Sequence, residues 1–205
     1  MLVEDVEFRN KQIKPLKQNL WYHATTMQHL QSLKNGIQVN YNKDNALDFG
    51  AGFYLTPNKE QAENYIQRNM SFEQPDSIFL QSGDYDTPII VEYHIDGLYD
   101  IFMENNKYQC NLFPKYDERF ATFIFYNRLN GEKQHDWDFI YGVQSDSNPE
   151  DVIEQYKSGG VDKEEALLEL QKSTSSKQLY IGNQEFCDKL GIESVIPIID
   201  KWGGR

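Results

Sequence analysis

The short strand-like segments of this chain are interleaved with helical ones in no fixed rhythm. That irregularity limits its architecture more than any single motif. Asn19–Ala24, Phe53–Thr56, Pro88–Ile95, Asp138–Tyr141, Gln178–Ile181 and Glu193–Ile199 have the length and the aromatic or β-branched character of strands. Helical patterns lie between them at Met27–Lys34, from Pro57 to about Asn69, and at Asp117–Leu129, Pro149–Tyr156, Asp162–Lys172 and Gln184–Leu190. Thr25 or Thr26 opens the first helix and Asn35-Gly36 closes it; Gly159-Gly160 and Gly191 punctuate the later ones. Phe120, Phe123, Ile124 and Tyr126 recur at helical spacing. A doubly wound sheet needs regular strand–helix alternation, which is missing, so the expected class is α+β.

The 205 residues suit a single domain spanning 1–205. Loops are expected at Gln74–Thr87, Gly142–Pro149 and Lys172–Lys177, all within that domain. No segment repeats at a fixed period. No apolar run approaches the ~18 residues of a membrane span. Met1 to Asn10 alternates apolar with acidic residues, unlike a signal peptide. Cys110 and Cys187 lie far apart without CxxC spacing, which points to reduced thiols, no metal site and a cytoplasmic setting. The net charge of −12 argues against an extensive DNA interface, since such an interface needs a basic footprint. A narrow nucleotide pocket needs only a few local donors and is still allowed, as is a basic protein partner.

Three segments carry chemistry. In Leu20-Trp21-Tyr22-His23-Ala24-Thr25 a histidine on a short strand is followed by a small residue. It is either a core or rim histidine, or an imidazole with room beside it for a flat ligand and a hydrogen bond to a ribose hydroxyl. In Asp48-Phe49-Gly50-Ala51-Gly52-Phe53-Tyr54-Leu55-Thr56 two glycines lead into an aromatic strand. They form a tight turn, or let the backbone approach a ligand on which an aromatic ring stacks. This is not a GxGxxG phosphate loop. In Ser175-Ser176-Lys177-Gln178-Leu179-Tyr180-Ile181 the Gln178 amide can fix hydroxyls or a carboxamide.

Together, YHAT followed by GFYLT resembles the first two motifs of the His-Tyr-Glu branch of the ADP-ribosyltransferase superfamily. The wider string, with DFGAGFYLT, EQAENY, FATFIFYNR, DWDFIYGVQSD, EEALLEL and KQLYIGNQEFCDKL, is similar to a bacterial and phage family of such proteins often found beside small antitoxin-like genes. The resemblance covers about Leu20 to Leu190. It implies a split β-sheet core with flanking helices, NAD+ as co-substrate, a macromolecular acceptor and a small antitoxin protein as partner. His23 would hold the adenosine-side ribose. Ala24, beside Thr25, stands where the superfamily usually has the glycine that grips the carboxamide. Tyr54, after Gly52, would stack on nicotinamide, and Tyr65 would add a second aromatic wall. Gln178 falls where the catalytic glutamate usually stands.

That last departure has a cost. Breaking the nicotinamide–ribose bond builds positive charge on the sugar, which a carboxylate stabilises and an amide only polarises. The difference is about 2–4 kcal/mol of barrier. The enzyme is then slow, or another carboxylate acts (Glu185 is nearest in sequence), or the site binds without turnover. NAD+ hydrolysis and a non-catalytic nucleotide- or protein-binding module are the competing readings. Arg128, after the aromatic helix, pairs either with a diphosphate or with Asp136 and Asp138. Tyr141-Gly142 and Asp146 either face the ligand or make a simple turn. His29, His94 and His135 have no metal-like neighbours.

Overall fold

The computed structural model describes residues 7, 10–43, 47–72, 87–104, 107–131, 133–145, 148–172 and 176–198. Most of the expected loop at Gln74–Thr87, together with Asp146 and Ser173–Ser175, lies outside the described residues. Residues 10–13 are helical (α1) and run into a 3-10 turn at Lys14–Lys17. The remaining elements are, in order, β1 (Leu20–Thr26), α2 (Met27–Asn35), β2 (Phe53–Leu55), α3 (Lys59–Phe72), β3 (Pro88–His94), α4 (Leu98–Met103), β4 (Cys110–Phe113), α5 (Glu118–Asn130), β5 (Phe139–Val143), α6 (Pro149–Lys157), α7 (Lys163–Glu169), β6 (Lys177–Ile181), α8 (Gln184–Cys187) and β7 (Ile192–Pro197).

The fold is α+β, with two sheets. One has the order β1-β3-β7 and is antiparallel throughout; the other has the order β2-β6-β5-β4. In the second sheet β2–β6 and β6–β5 are antiparallel, while β4 and β5 run parallel. Parallel neighbours need a crossover, and α5 supplies it, so the chain contains one strand–helix–strand unit that the sequence pattern does not announce. The sheets meet at a backbone bridge, where Tyr22 and Thr56 exchange hydrogen bonds of 3.0 and 2.9 Å.

Alternation along the strands sorts the apolar side chains into three layers. Between the sheets lie Trp21, Val91 and Tyr93 from the first and Phe53, Leu55, Phe139, Tyr141 and Leu179 from the second. The outer face of the second sheet packs Phe113, Ile140 and Tyr180 against Phe120, Ile124 and Phe125 of α5 and Val152 and Ile153 of α6. The outer face of the first sheet takes Ala62 and Ile66 of α3 against Ile90. Tyr141 belongs to the layer between the sheets, edge-on to Trp21 at 6.0 Å, and not to a ligand-facing strand end.

Local chemistry explains the helix boundaries. Asp117 caps α5 by accepting from the Phe120 amide at 3.0 Å. Asp162 and Glu165 form a reciprocal capping box on α7. Asn58 Oδ1 accepts from the Glu60 and Gln61 amides at the start of α3. Thr26 precedes α2 without a side-chain cap; its hydroxyl is buried and unpartnered.

Candidate functional site

The loop 47–52 and strand β2 form the hub of a connected polar cluster. His23 projects from β1 into the layer between the sheets, its ring 4.8 Å from that of Phe53. Its Nδ1 lies 2.9 Å from the Tyr54 carbonyl oxygen. A carbonyl can only accept, so Nδ1 carries the proton. Burial lowers the pKa of the imidazole, against a smaller upward pull from that carbonyl. Neutral His23 then presents Nε2 as an acceptor. No other group among the described residues occupies it.

Tyr54 touches His23 through its backbone. Its ring lies on the opposite face of β2, which it shares with Tyr180, its register partner, and with Gln178 two residues away on β6. The phenol donates to Gly50 O at 2.6 Å and accepts from the Phe49 amide at 3.1 Å. Its ring stands 5.5 Å from Tyr180 and 6.4 Å from Phe49. Burial, followed by the nearby Asp48 charge, holds this phenol well above the usual tyrosine range. It is therefore a neutral strut that shapes the loop.

Gly52 has a different role from the expected ligand approach. A Cβ there would lie 2.1 Å from the Tyr180 ring, so the absent side chain makes room for that ring. Gly50 has φ of +75°, the left-handed region that favours glycine.

Gln178 is buried at 7 % exposure. Its Nε2 donates to Asp48 Oδ2 at 3.3 Å and to Val143 O at 3.4 Å. Both neighbours accept, which fixes the amide orientation and leaves Oε1 without a protein donor among the described residues. Asp48 Oδ1 accepts from Arg128 Nε at 2.7 Å, with both side chains largely buried. Arg128 is therefore paired with Asp48, not with Asp136 or Asp138. Asp138 accepts from the Gln109 amide and from Asn183 Nδ2. Glu185 pairs with Lys189 on the surface at 2.7 Å, so the carboxylate that meets Gln178 is Asp48.

Of the other expected contacts, Ala24 packs on the α3 side of the first sheet and Thr25 is half-buried at the end of β1. Tyr65 is 48 % exposed and makes no ring contact among the described residues, so it does not wall the His23–Tyr54 region. An open groove of ≈ 410 Å³ lies beside the cluster but is not lined by His23, Tyr54 or Gln178. Its walls include Gln18, Tyr22, Asn58, Lys59, Gln61 and Lys177.

Sequence reasoning missed Asp48, Lys177 and His135. Asp48 carried one signal, a lone acid opening an aromatic and glycine run that needs a cation once buried. His135 buttresses the loop: Nε2 donates to Phe49 O at 2.8 Å, and Nδ1 accepts from the Trp137 amide at 3.1 Å. With both nitrogens engaged its task is structural, in contrast to His23.

A family model described as a protein of unknown function (DUF3990) matches residues 20–191. No curated protein and no solved structure matches the chain.

Proposed function

Because the chain belongs to the DUF3990 family, whose description leaves function open, we propose from its own residues that it is an NAD+-dependent ADP-ribosyltransferase. The observation that carries this reading is the 2.9 Å contact between His23 Nδ1 and the Tyr54 carbonyl. It joins the two segments on which the superfamily resemblance rests, and it sets the imidazole tautomer. A neutral imidazole with Nε2 free suits a hydrogen bond from a ribose hydroxyl. The α+β arrangement with two sheets also agrees with an ADP-ribosyltransferase-like split core.

In the proposed reaction the bond between ribose C1′ and the nicotinamide nitrogen breaks. Nicotinamide leaves neutral with the electron pair. The acceptor nucleophile then bonds C1′ and loses its proton. Positive charge builds on the sugar before that bond forms. Gln178 Oε1 offers the negative end of a dipole to it, while the charge of Asp48 is balanced by Arg128. Turnover is accordingly expected to be slow, by the ~2–4 kcal/mol that an uncompensated carboxylate would supply.

The test is incubation of the full chain with NAD+ labelled on its phosphates and with cell extract. Label on a macromolecule together with released nicotinamide, both lost in His23→Ala, is the expected result. Free ADP-ribose without a labelled macromolecule would assign NAD+ hydrolysis instead. Wild type indistinguishable from His23→Ala on both readouts would sink the enzymatic reading.

The same Arg128–Asp48–Gln178 pairing favours a second reading, a module that binds a nucleotide without turnover, because the carboxylate that meets Gln178 among the described residues is already balanced by Arg128. Calorimetric binding of NAD+ with no product after long incubation would select it.

A further inference from the structure

The groove beside the cluster brings together four parts of the chain: the end of the 3-10 turn, β1, the start of α3 and the start of β6. Its ≈ 410 Å³ falls within the range of small-ligand sites. Its amides are already committed to holding the walls together. Gln18 Nε2 donates to Leu20 O at 2.6 Å and Pro57 O at 2.8 Å. Gln61 pairs with the Lys177 backbone in both directions, at 2.8 and 3.0 Å, and donates to Gln144 Oε1 at 2.7 Å. Asn58 Oδ1 is spent on the first turn of α3, so the helix terminus is not the attraction.

What the walls leave over is positive charge. Lys177 is half-buried, and the one hydrogen bond its ammonium makes among the described residues is a long one, 3.5 Å to Pro114 O. No carboxylate among the described residues lies within salt-bridge distance of it. In a chain with 32 acidic and 20 basic residues, no acid among the described residues lines the groove. Burial accordingly pushes the ammonium down to about 8. Lys59 stands at the same groove, 3.9 Å from Glu63. Tyr22 lines the opposite wall, with Glu92 across from it on β3. A partly desolvated cation without a counter-charge among the described residues, in an open polar groove, is the arrangement that an incoming anion completes.

We propose that this groove binds a phosphate-bearing anion, with Lys177 as its main contact and Lys59 at its rim. Consecutive residues of a strand project to opposite faces, so Lys177 does not share the face of Gln178. The groove is thus a second site, standing independently of the proposed transferase reaction. Its phosphate comes from a nucleotide's diphosphate or from a separate phosphorylated molecule.

The test is calorimetric titration of the full chain with inorganic pyrophosphate at about pH 7. Binding is expected to weaken at least ~10-fold in Lys177→Met and a few-fold in Lys59→Met, and to persist in Lys177→Arg. Affinity should fall as pH rises through about 8. Addition of NAD+ separates the sources. Competition identifies a dinucleotide's diphosphate, and independent binding a separate phosphorylated ligand. Should Lys177→Met fail to fold, the wild-type Lys177 side-chain nitrogen resonance serves instead, since bound pyrophosphate should raise its titration midpoint. No binding of pyrophosphate, equal binding by wild type and a folded Lys177→Met, or an unmoved Lys177 resonance would overturn the proposal.

Discussion

Gly52 has no room for a methyl group, because Tyr180 fills the space where its Cβ would stand. Gly52→Ala must therefore move the Tyr180 ring, whose hydroxyl donates to Ala51 O at 2.8 Å. Denaturant unfolding should show a loss of about 1–3 kcal/mol, the usual cost of overpacking. Gln178→Glu tests the neighbouring contact. It would set a second carboxyl against Asp48, where the amide nitrogen now lies at 3.3 Å. Two close, buried carboxylates do not both ionise readily, so the new glutamate's folded pKa rises above its unfolded value. Its penalty is then absent at acid pH and grows as pH climbs through that interval. The variant should match wild type at about pH 4 and fall behind by about pH 7, with Asp48→Asn removing the difference. These contacts also show what the sequence could reveal about the site. His23 and Tyr54 stand out because each sits in a short run of unusual residues. The partners Asp48, Arg128 and Gln178 span 130 positions of chain, and no local pattern encodes a pairing at that separation. Gly52 was legible as a place of close approach, but not that the approaching group is Tyr180.

Helix α5 shows how an element delivers a site residue. Its face carries Phe120, Ile124 and Phe125 into the layer beneath the second sheet, and this fixes where Arg128 in its last turn meets Asp48. Asp117 starts the helix, so Asp117→Ala should cost about 1 kcal/mol in chemical denaturation through the lost cap. The helix was legible because Phe120, Phe123, Ile124 and Tyr126 keep a consistent helical spacing. The same consistency made β1, α2 and β3 readable. Elements α4 and β4, of six and four residues, leave no pattern in the sequence. Cys110–Phe113 has four residues, too few for alternation to stand out, and it is a strand because it lies alongside β5 in parallel. That pairing is tertiary, and it turns β4, α5 and β5 into the crossover unit which the irregular spacing concealed. Helix α7 ends at Glu169, short of the expected Lys172, with Leu170 at its C-cap.

At the scale of the whole molecule, the net charge of −12 and the unpaired Lys177 act on stability in opposite directions as pH rises. Above neutrality the chain as a whole becomes more negative and its self-repulsion grows, which lowers stability. Lys177 works against that trend. Its folded pKa of about 8 lies below the 10.5 of an unperturbed lysine, so between these values the unfolded chain binds the extra proton. Stability from this group therefore rises with pH across that interval, and the desolvation penalty is felt in full below it. Because the side chain is half exposed, solvent screening leaves the penalty at about 1 kcal/mol. Comparing wild type with Lys177→Met cancels the shared background of repulsion. The variant should be the more stable by about 1 kcal/mol at about pH 7, and the gap should close by about pH 10. Pyrophosphate should stabilise wild type at about pH 7 and the variant far less, since a ligand that binds only the folded state adds its binding free energy to folding. A gap that stays constant with pH would mean that the substitution acts through packing. A gap that closes as described would locate the charge, not the shape, of Lys177 as the strained feature of the groove.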